Sequence, residues 1–359
     1  MVEWLAGNRI RGTSAEKPVG ILTSPSVGGW VEVGRTTLGS AGDTITVSGL
    51  ADKRYYMLLA NVIPTTGQAN GKITFNGDAG SNYSERTSRN GTTDSTQINN
   101  SNINWLGQSD TSGQYFTTAN IANLSSKEKL LIGHDVGQNT AGAGSAPARA
   151  EIVGKWANTS SSISSIAINN TASSDYSIGS EVVVLGWDPA DTHTTNFWEE
   201  LASVDLSGGA ADTISSGVFT SKKYLWIQAY TGNTGGATRA SLRVGNTTID
   251  SGSNYADRSS INGAADGTNV NHNRMSASSG AVQDKEFHNY FIINNSANEK
   301  LMTGSAVRAN TAGAGNIPNT AEFAGKWANT SNQIDIVQMF NDQAGDFGTE
   351  TIMKVWGSD

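Results

Sequence analysis

The sequence contains no cysteine in its 359 residues. Disulfide bridges, thiolate zinc sites and cysteine nucleophiles are therefore excluded. Charged side chains are scarce at 16%, against roughly 25% in typical soluble domains. Glycine, serine, threonine and asparagine take their place, and these residues build turns and cover exposed strand faces. This composition favours antiparallel sheets with many turns over helical bundles.

The chain also lacks an excess of positive charge and long apolar runs. The net charge is −8, and no basic cluster is longer than Lys222-Lys223, so we expect no nucleic-acid partner. No stretch approaches the 18 or so consecutive apolar residues of a membrane span, so we expect no membrane insertion. The first residues lack the basic start and apolar core of a signal peptide, and we expect none.

The strongest positive feature of the sequence is an internal repeat. Residues 154–160, GKWANTS, recur letter for letter at 325–331. Residues 139–144, NTAGAG, recur at 310–315 with the same offset of 171. Solenoids and propeller blades repeat every 20–50 residues or so, which is far shorter. The period therefore indicates a duplication of whole domains.

The repeat and the strand patterns predict the architecture. Residues 44–47 alternate apolar and polar side chains, and 54–60 form a buried-looking run. No convincing helix is predicted, although residues 121–131 could hold one helical turn. We predict an all-β protein with two tandem jelly-roll-like antiparallel β-sandwich domains of about eight strands each. The predicted limits are an N-terminal arm at 1–28, repeat 1 at 29–188, a linker at 189–196 and repeat 2 at 197–359.

The most site-like segment recurs in both repeats as Asp-x-Gly-Ser-Asn-Tyr, with an arginine three residues further on. Its carboxylate, amide and carbonyl oxygens are ligand types that Ca²⁺ accepts. Its tyrosine and arginine could instead contact a sugar. The third interpretation, which we favour, is a tight turn whose Asp and Asn side chains satisfy backbone donors. The candidate binding residues are Asp78, Asn82, Tyr83, Arg86, Asp250, Asn254, Tyr255 and Arg258.

No motif for catalysis is evident, and we predict no catalytic residue, no metal site and no cofactor apart from the Ca²⁺ alternative. None of the four histidines is matched between the repeats or has metal-ligand spacing, and a nucleophile elbow is missing. Paired carboxylates of a sandwich glycosidase remain the last-ranked alternative. Trp156 and Trp327 are expected to pack in or beside each core, whereas the run Lys127-Glu128-Lys129 is interpreted as a solvated loop.

Two further segments are distinctive: residues 4–16, WLAGNRIRGTSAE, and residues 75–83, FNGDAGSNY. They resemble segments of virion structural proteins of tailed-phage and marine-virus type. The resemblance covers the arm and both repeats, although the second repeat departs to VGNTTID at 244–250. It implies a β-sandwich subunit of a capsid, decoration layer, tail or fibre. Its implied location is the virion or the extracellular space, and its implied partners are copies of itself and other virion proteins.

These observations predict a non-enzymatic virion structural protein that assembles through β-sandwich edges, loops and the N-terminal arm. The alternative is a carbohydrate-binding module, adhesin or receptor-binding protein whose partner is a host-surface glycan. Exposed aromatic side chains gathered on one face would favour the alternative. Burial of Trp105, Trp156, Trp226 and Trp327 would count against it.

Overall fold

The computed structural model describes residues 29–106, 113–189, 191, 195–234, 236–276, 285–310 and 313–359. The predicted N-terminal arm at 1–28 lies outside these residues. All regular secondary structure in the described ranges is β-strand, so the predicted all-β fold is confirmed. No helix there is long and apolar enough to cross a membrane.

Within the described residues, the first repeat carries twelve strands in two sheets. The larger sheet has the order β1-β12-β3-β8-β9-β10-β5-β6, and the smaller sheet has the order β2-β11-β4-β7. The strands are β1 Val31–Thr37, β2 Thr44–Ser48, β3 Tyr55–Val62, β4 Gly71–Phe75, β5 Tyr83–Arg89, β6 Ser95–Asn100, β7 Ile103–Leu106, β8 Tyr115–Ala122, β9 Lys129–Gly137, β10 Ala148–Trp156, β11 Ser165–Asn169 and β12 Glu181–Trp187.

The second repeat has the same plan, with thirteen strands in its described part. Its larger sheet has the order β13-β25-β15-β21-β22-β23-β18-β19, and its smaller sheet has the order β14-β24-β16-β17, with β20 paired to β16. The strands are β13 Glu199–Asp205, β14 Thr213–Ser215, β15 Tyr224–Thr231, β16 Ala240–Asn246, β17 Thr248–Ile249, β18 Tyr255–Ile261, β19 Gly267–His272, β20 Met275–Ser276, β21 Glu286–Ile293, β22 Lys300–Arg308, β23 Asn319–Trp327, β24 Ile336–Asn341 and β25 Ile352–Ser358.

Each hydrophobic core lies between a large and a small sheet. In the first repeat, the alternating patterns of β2, β4 and β11 point every second side chain inward, as their period of two requires. Ile45, Ile73 and Ile168 thereby meet Leu58 and Val184 from the larger sheet. The second core is assembled in the same way from residues such as Leu242, Met339, Ile227 and Val355. The tandem antiparallel β-sandwiches of the prediction are therefore confirmed.

Two details differ from the sequence expectations. The repeats contain twelve and thirteen strands rather than about eight, because several strands are short or polar and carry no apolar alternation. Residues 121–131 form no helical turn. Ile121 and Ala122 end strand β8, the chain then turns, and Lys129 opens β9.

The chain forms two compact units. The first comprises the described residues up to Ser88, Thr93–Asp135 and Ala150–Glu199, and the second comprises Arg89–Thr92, Val136–Arg149 and Glu200–Asp359. Strands β1–β12 lie within 29–188, and strands β13–β25 lie within 197–359. The domain ends drawn from the repeat stay a prediction.

Candidate functional site

The site-like loop of the first repeat is a turn organised around one carboxylate. Asp78 Oδ1 accepts a hydrogen bond from the Gly80 backbone N–H at 2.8 Å, and Oδ2 accepts one from Asn82 Nδ2 at 2.9 Å. Trp156 Nε1 donates to Oδ2 at 2.7 Å. A Cβ atom at position 80 would lie 2.9 Å from Asn82 Nδ2, so a larger residue there would displace the amide that binds Asp78. These donors occupy most of the acceptor capacity of the carboxylate.

Tyr83 is part of the same turn and is buried. Its hydroxyl accepts from the Phe75 backbone N–H at 3.0 Å and donates to the Asp78 carbonyl at 3.1 Å. Its ring stacks on Trp156, with centroids 6.3 Å apart. Burial raises the pKa of Tyr83 to about 12. Neither the ring nor the hydroxyl is presented to a ligand.

The second repeat reproduces this arrangement. Asp250 accepts from the Gly252 N–H at 2.8 Å, from Asn254 Nδ2 at 2.9 Å and from Trp327 Nε1 at 2.7 Å. The hydroxyl of buried Tyr255 donates to the Asp250 carbonyl at 2.8 Å and accepts from the Val244 backbone N–H at 3.1 Å. The turn is therefore retained even though the preceding residues differ.

Hydrogen bonds lower the pKa of both aspartates. For Asp78 the largest cause is the indole N–H of Trp156, followed in the same direction by Gly80 and Asn82. For Asp250 the largest effect is burial, which acts upward, but the hydrogen bonds led by Trp327 outweigh it and the pKa lies below its usual value. Both turns thus favour an ionised carboxylate.

The two arginines of the predicted site do not join these turns. Arg86 is exposed and pairs with exposed Asp94 at 3.1 Å. Arg258 is partly buried and lies 3.7 Å from Asp266. Among the described residues, no group of three or more His, Cys, Asp or Glu side chains could hold a metal ion. For Asp78, Asn82, Tyr83 and their counterparts, the geometry agrees with the turn interpretation that we favoured.

A buried lysine beside each turn was missed by the sequence analysis. Lys129 is buried, so the prediction of a solvated loop is wrong at this residue. Its Nζ donates to the carbonyls of Ser125, Lys127 and Asn158 at 3.2, 2.9 and 2.9 Å and lies 5.5 Å from the centroid of the Trp156 ring. The recurrence of Glu-Lys-Leu at 128–130 and 299–301 was the available signal.

Lys300 repeats this contact set in the second repeat. Its Nζ donates to the carbonyls of Ser296, Asn298 and Asn329 at 3.4, 2.9 and 2.8 Å and lies 5.7 Å from the centroid of the Trp327 ring. Burial lowers the pKa of Lys300 to about 8. Burial also lowers the pKa of Lys129.

Burial of the repeat tryptophans follows from these contacts. Trp156 is 1% exposed and Trp327 is 2% exposed, which confirms that they pack in the cores. Trp226 is 7% exposed, and its Nε1 donates to Asn289 Oδ1 at 2.7 Å. The side chain of Trp105 lies outside the described part of the structure. Three of the four tryptophans proposed as a test of glycan binding are therefore buried.

A different part of the first unit presents partly exposed aromatic residues. A groove of about 440 Å³ lies at the ends of strands β3, β8, β9 and β12. We call this the aromatic groove and define it by Trp30, Tyr55, Asn120, Leu130, Ile132 and Trp187.

Strand register explains why these side chains meet. Tyr55 opens β3 and lies directly opposite Trp187, the last residue of β12, and their rings stack with centroids 5.4 Å apart. Leu130 and Ile132 alternate with buried residues along β9 and are 56% and 54% exposed. Trp30, Tyr55, Asn120 and Trp187 were not among the candidate binding residues predicted from the sequence.

The comparisons with known proteins leave the family open. No family model and no curated protein matches the chain. Among solved structures, it is similar to domains LG4-5 of the mouse laminin alpha1 chain, with 9% sequence identity over 94% of this chain and 92% of that chain. The TM-score is 0.19, and a likeness this low supports no conclusion about fold or function.

Proposed function

We propose that this chain is a non-enzymatic structural subunit of a virion that assembles through strand edges, loops and its N-terminal arm. The proposal has two supports. One is the resemblance of the arm and the 75–83 block to virion structural proteins. The other is that the most site-like residues, those of the Asp78 and Asp250 turns, hold the fold together. Contacts with other molecules are then left to the outer surfaces of the sandwiches.

The observation that carries the assembly proposal is the edge strand β6. It is the last strand of its sheet and pairs only with β5 in the described part of the chain. Its sequence, STQINN, has no charge and no proline, and five of its six residues are exposed. Ile98 is 77% exposed at its centre. Proteins usually protect such an edge with charge or proline, because an unprotected row of N–H and C=O groups pairs with another chain.

The experiment is the mass of the full chain as a function of concentration, measured by sedimentation velocity on wild type and Ile98→Lys. We expect the wild type to associate and the variant to lose at least about tenfold in association affinity, since a lysine on an edge strand opposes pairing.

The matched control is Ile178→Lys. Ile178 is 64% exposed on a turn of the same repeat, where no strand edge is available. The same exchange there should leave association unchanged. Equal association of Ile98→Lys and wild type would remove β6 as the contact, and a monomeric wild type at every concentration would contradict the assembly proposal itself.

The second candidate function is carbohydrate binding, as a module, adhesin or receptor-binding protein. Burial of Trp156, Trp226 and Trp327 counts against a platform built from those residues. The aromatic groove supports the candidate in a different place, because aromatic side chains are gathered and partly exposed there.

A further inference from the structure

We propose that the aromatic groove of the first unit binds a neutral sugar ring, stacked on Trp187, Tyr55 and Trp30. This inference locates and deepens the second candidate function, and it is independent of whether the chain assembles.

The first step of the argument is the shape and chemistry of the groove. Its volume of about 440 Å³ falls in the range of roughly 300–1,000 Å³ that small-molecule sites occupy. The rings of Tyr55 and Trp187 stack with planes inclined by 20°, so each covers one face of the other and an outer face of the pair is left for a ligand. The C–H face of a pyranose ring packs on such a surface, as other flat, partly apolar groups do.

The second step concerns the polar groups of the residues that line the groove. Tyr55, Trp30, Trp187 and Asn120 carry a hydroxyl, two indole N–H groups and an amide, and these side-chain groups make no hydrogen bond in the described part of the chain. An apolar partner would leave these groups without partners when it covered them, which costs free energy. A sugar supplies hydroxyls as both donors and acceptors. It therefore forms hydrogen bonds with these side-chain groups while its C–H face covers the rings.

The third step is charge. None of the described residues that line the groove is charged. Charged residues close to Tyr55 and Trp187 in the chain are paired, Lys53 with Asp191 and Arg54 with Asp188 at 4.0 Å. Each pair contains one charge of each sign, so no unbalanced charge directs an acidic or basic ligand into the groove. A neutral saccharide is therefore the ligand class that fits.

The fourth step is the contrast with the second repeat. Tyr224 is the counterpart of Tyr55, and the residue opposite it on the closing strand is Ser358 rather than tryptophan. Tyr224 is fully buried. The counterpart of Asn120 is Phe291, which stacks on Trp226 at 5.4 Å.

The second repeat thus has the same strands but fills these positions with internal packing. The two repeats derive from one duplicated sequence but differ at these positions. The aromatic groove and its unbonded polar groups are therefore specific to the first copy. Folding does not require them, because the second copy folds without them.

The test is saturation-transfer difference NMR on the full chain. The probes are methyl β-D-glucopyranoside, methyl β-D-galactopyranoside and methyl α-D-mannopyranoside, with tryptophan fluorescence as a second readout. We expect saturation transfer to the C–H face of at least one probe. Trp187→Ser installs the residue that the second repeat has, and it should weaken binding by about tenfold because the stacking surface is lost. Ser358→Ala is the matched control and should bind as wild type does.

Tyr55→Phe keeps the ring and removes only the hydroxyl. It should weaken binding several-fold, because the hydrogen bond between this hydroxyl and the sugar is lost. Thermal unfolding of each variant verifies the fold. No transfer to any of the three probes, or transfer that Trp187→Ser leaves undiminished, would overturn the proposal. Binding of the apolar dye 1-anilinonaphthalene-8-sulfonate without sugar binding would overturn it too and would indicate an apolar docking surface. None of these outcomes alters the measured mass, so the assembly proposal is decided separately.

Discussion

Asp78 and Asp250 show at the residue scale how a site-like motif can serve the fold. Each carboxylate joins a glycine N–H, an asparagine amide and a tryptophan indole at the start of a strand. The same residue types could ligate Ca²⁺ or a sugar, but a carboxylate already holding three donors has little capacity left. The motif therefore recurs because both sandwiches need the same turn to hold their tryptophans.

This account predicts that Asp78→Asn destabilises the first sandwich. The amide keeps one acceptor oxygen and places an N–H group against donors, so we expect a loss of about 1–2 kcal/mol in the free energy of unfolding. Urea denaturation followed by tryptophan fluorescence measures it. Arg86→Ala is the control, because its exposed ion pair with Asp94 should contribute no more than about 0.5 kcal/mol.

Addition of Ca²⁺ provides an independent check on the same loop. The midpoint of wild-type unfolding should not change with CaCl₂, since only a ligand that binds the folded state raises it. A calcium-dependent rise that Asp78→Asn removes would contradict the turn interpretation.

The residue-level prediction succeeded where sequence patterns reflect packing. The tryptophans were predicted to be buried because the whole strand before each one recurs with it. Lys129 was wrongly predicted to be solvated, because lysine in a polar loop is rarely buried unless it is paired. Only the fold brings three carbonyls to one point around its Nζ.

Lys129 and Lys300 act at the scale of elements. Each opens a strand, β9 or β22, and its ammonium group joins the preceding loop to the residues that follow β10 or β23. Two turns and one tryptophan ring are thereby held by a single side chain in each sandwich. Burial lowers the pKa of Lys300 to about 8, against the opposing effect of the Glu299 charge.

We predict that Lys300→Met destabilises the second sandwich by about 2 kcal/mol or more, because three carbonyls lose the donor that the buried ammonium group supplies. Lys285→Met is the control. Lys285 is exposed, and its Nζ lies 3.7 Å from Glu350, so its loss should change stability by no more than about 0.5 kcal/mol. Thermal unfolding of the full chain compares them, and equal midpoints for the two variants would show that the buried lysine does not hold the loop.

Prediction of elements followed the apolar pattern. Strands such as β2 and β3 were predicted because they alternate or are continuously apolar. The polar edge strands β6 and β19 were missed, since most of their residues are exposed on both faces and no core imposes a period of two. The aromatic groove was missed because it joins the ends of four strands that are distant in sequence.

At the scale of the whole molecule, one sandwich plan serves twice but with different surfaces. Both repeats keep the turn, the tryptophan and the buried lysine. They diverge at the ends of β12 and β25, where Trp187 stands in the first repeat and Ser358 in the second. Internal contacts that the two repeats share, with surfaces that differ between them, agree with the proposal that the surfaces make the intermolecular contacts.

The central claim is assembly, and the most direct measurement is the mass of the full chain by light scattering beside a chain that begins at Gly29. The account predicts a defined oligomer or larger assembly for the full chain, lost when residues 1–28 are removed. Clean monomers of both chains at every concentration would contradict it.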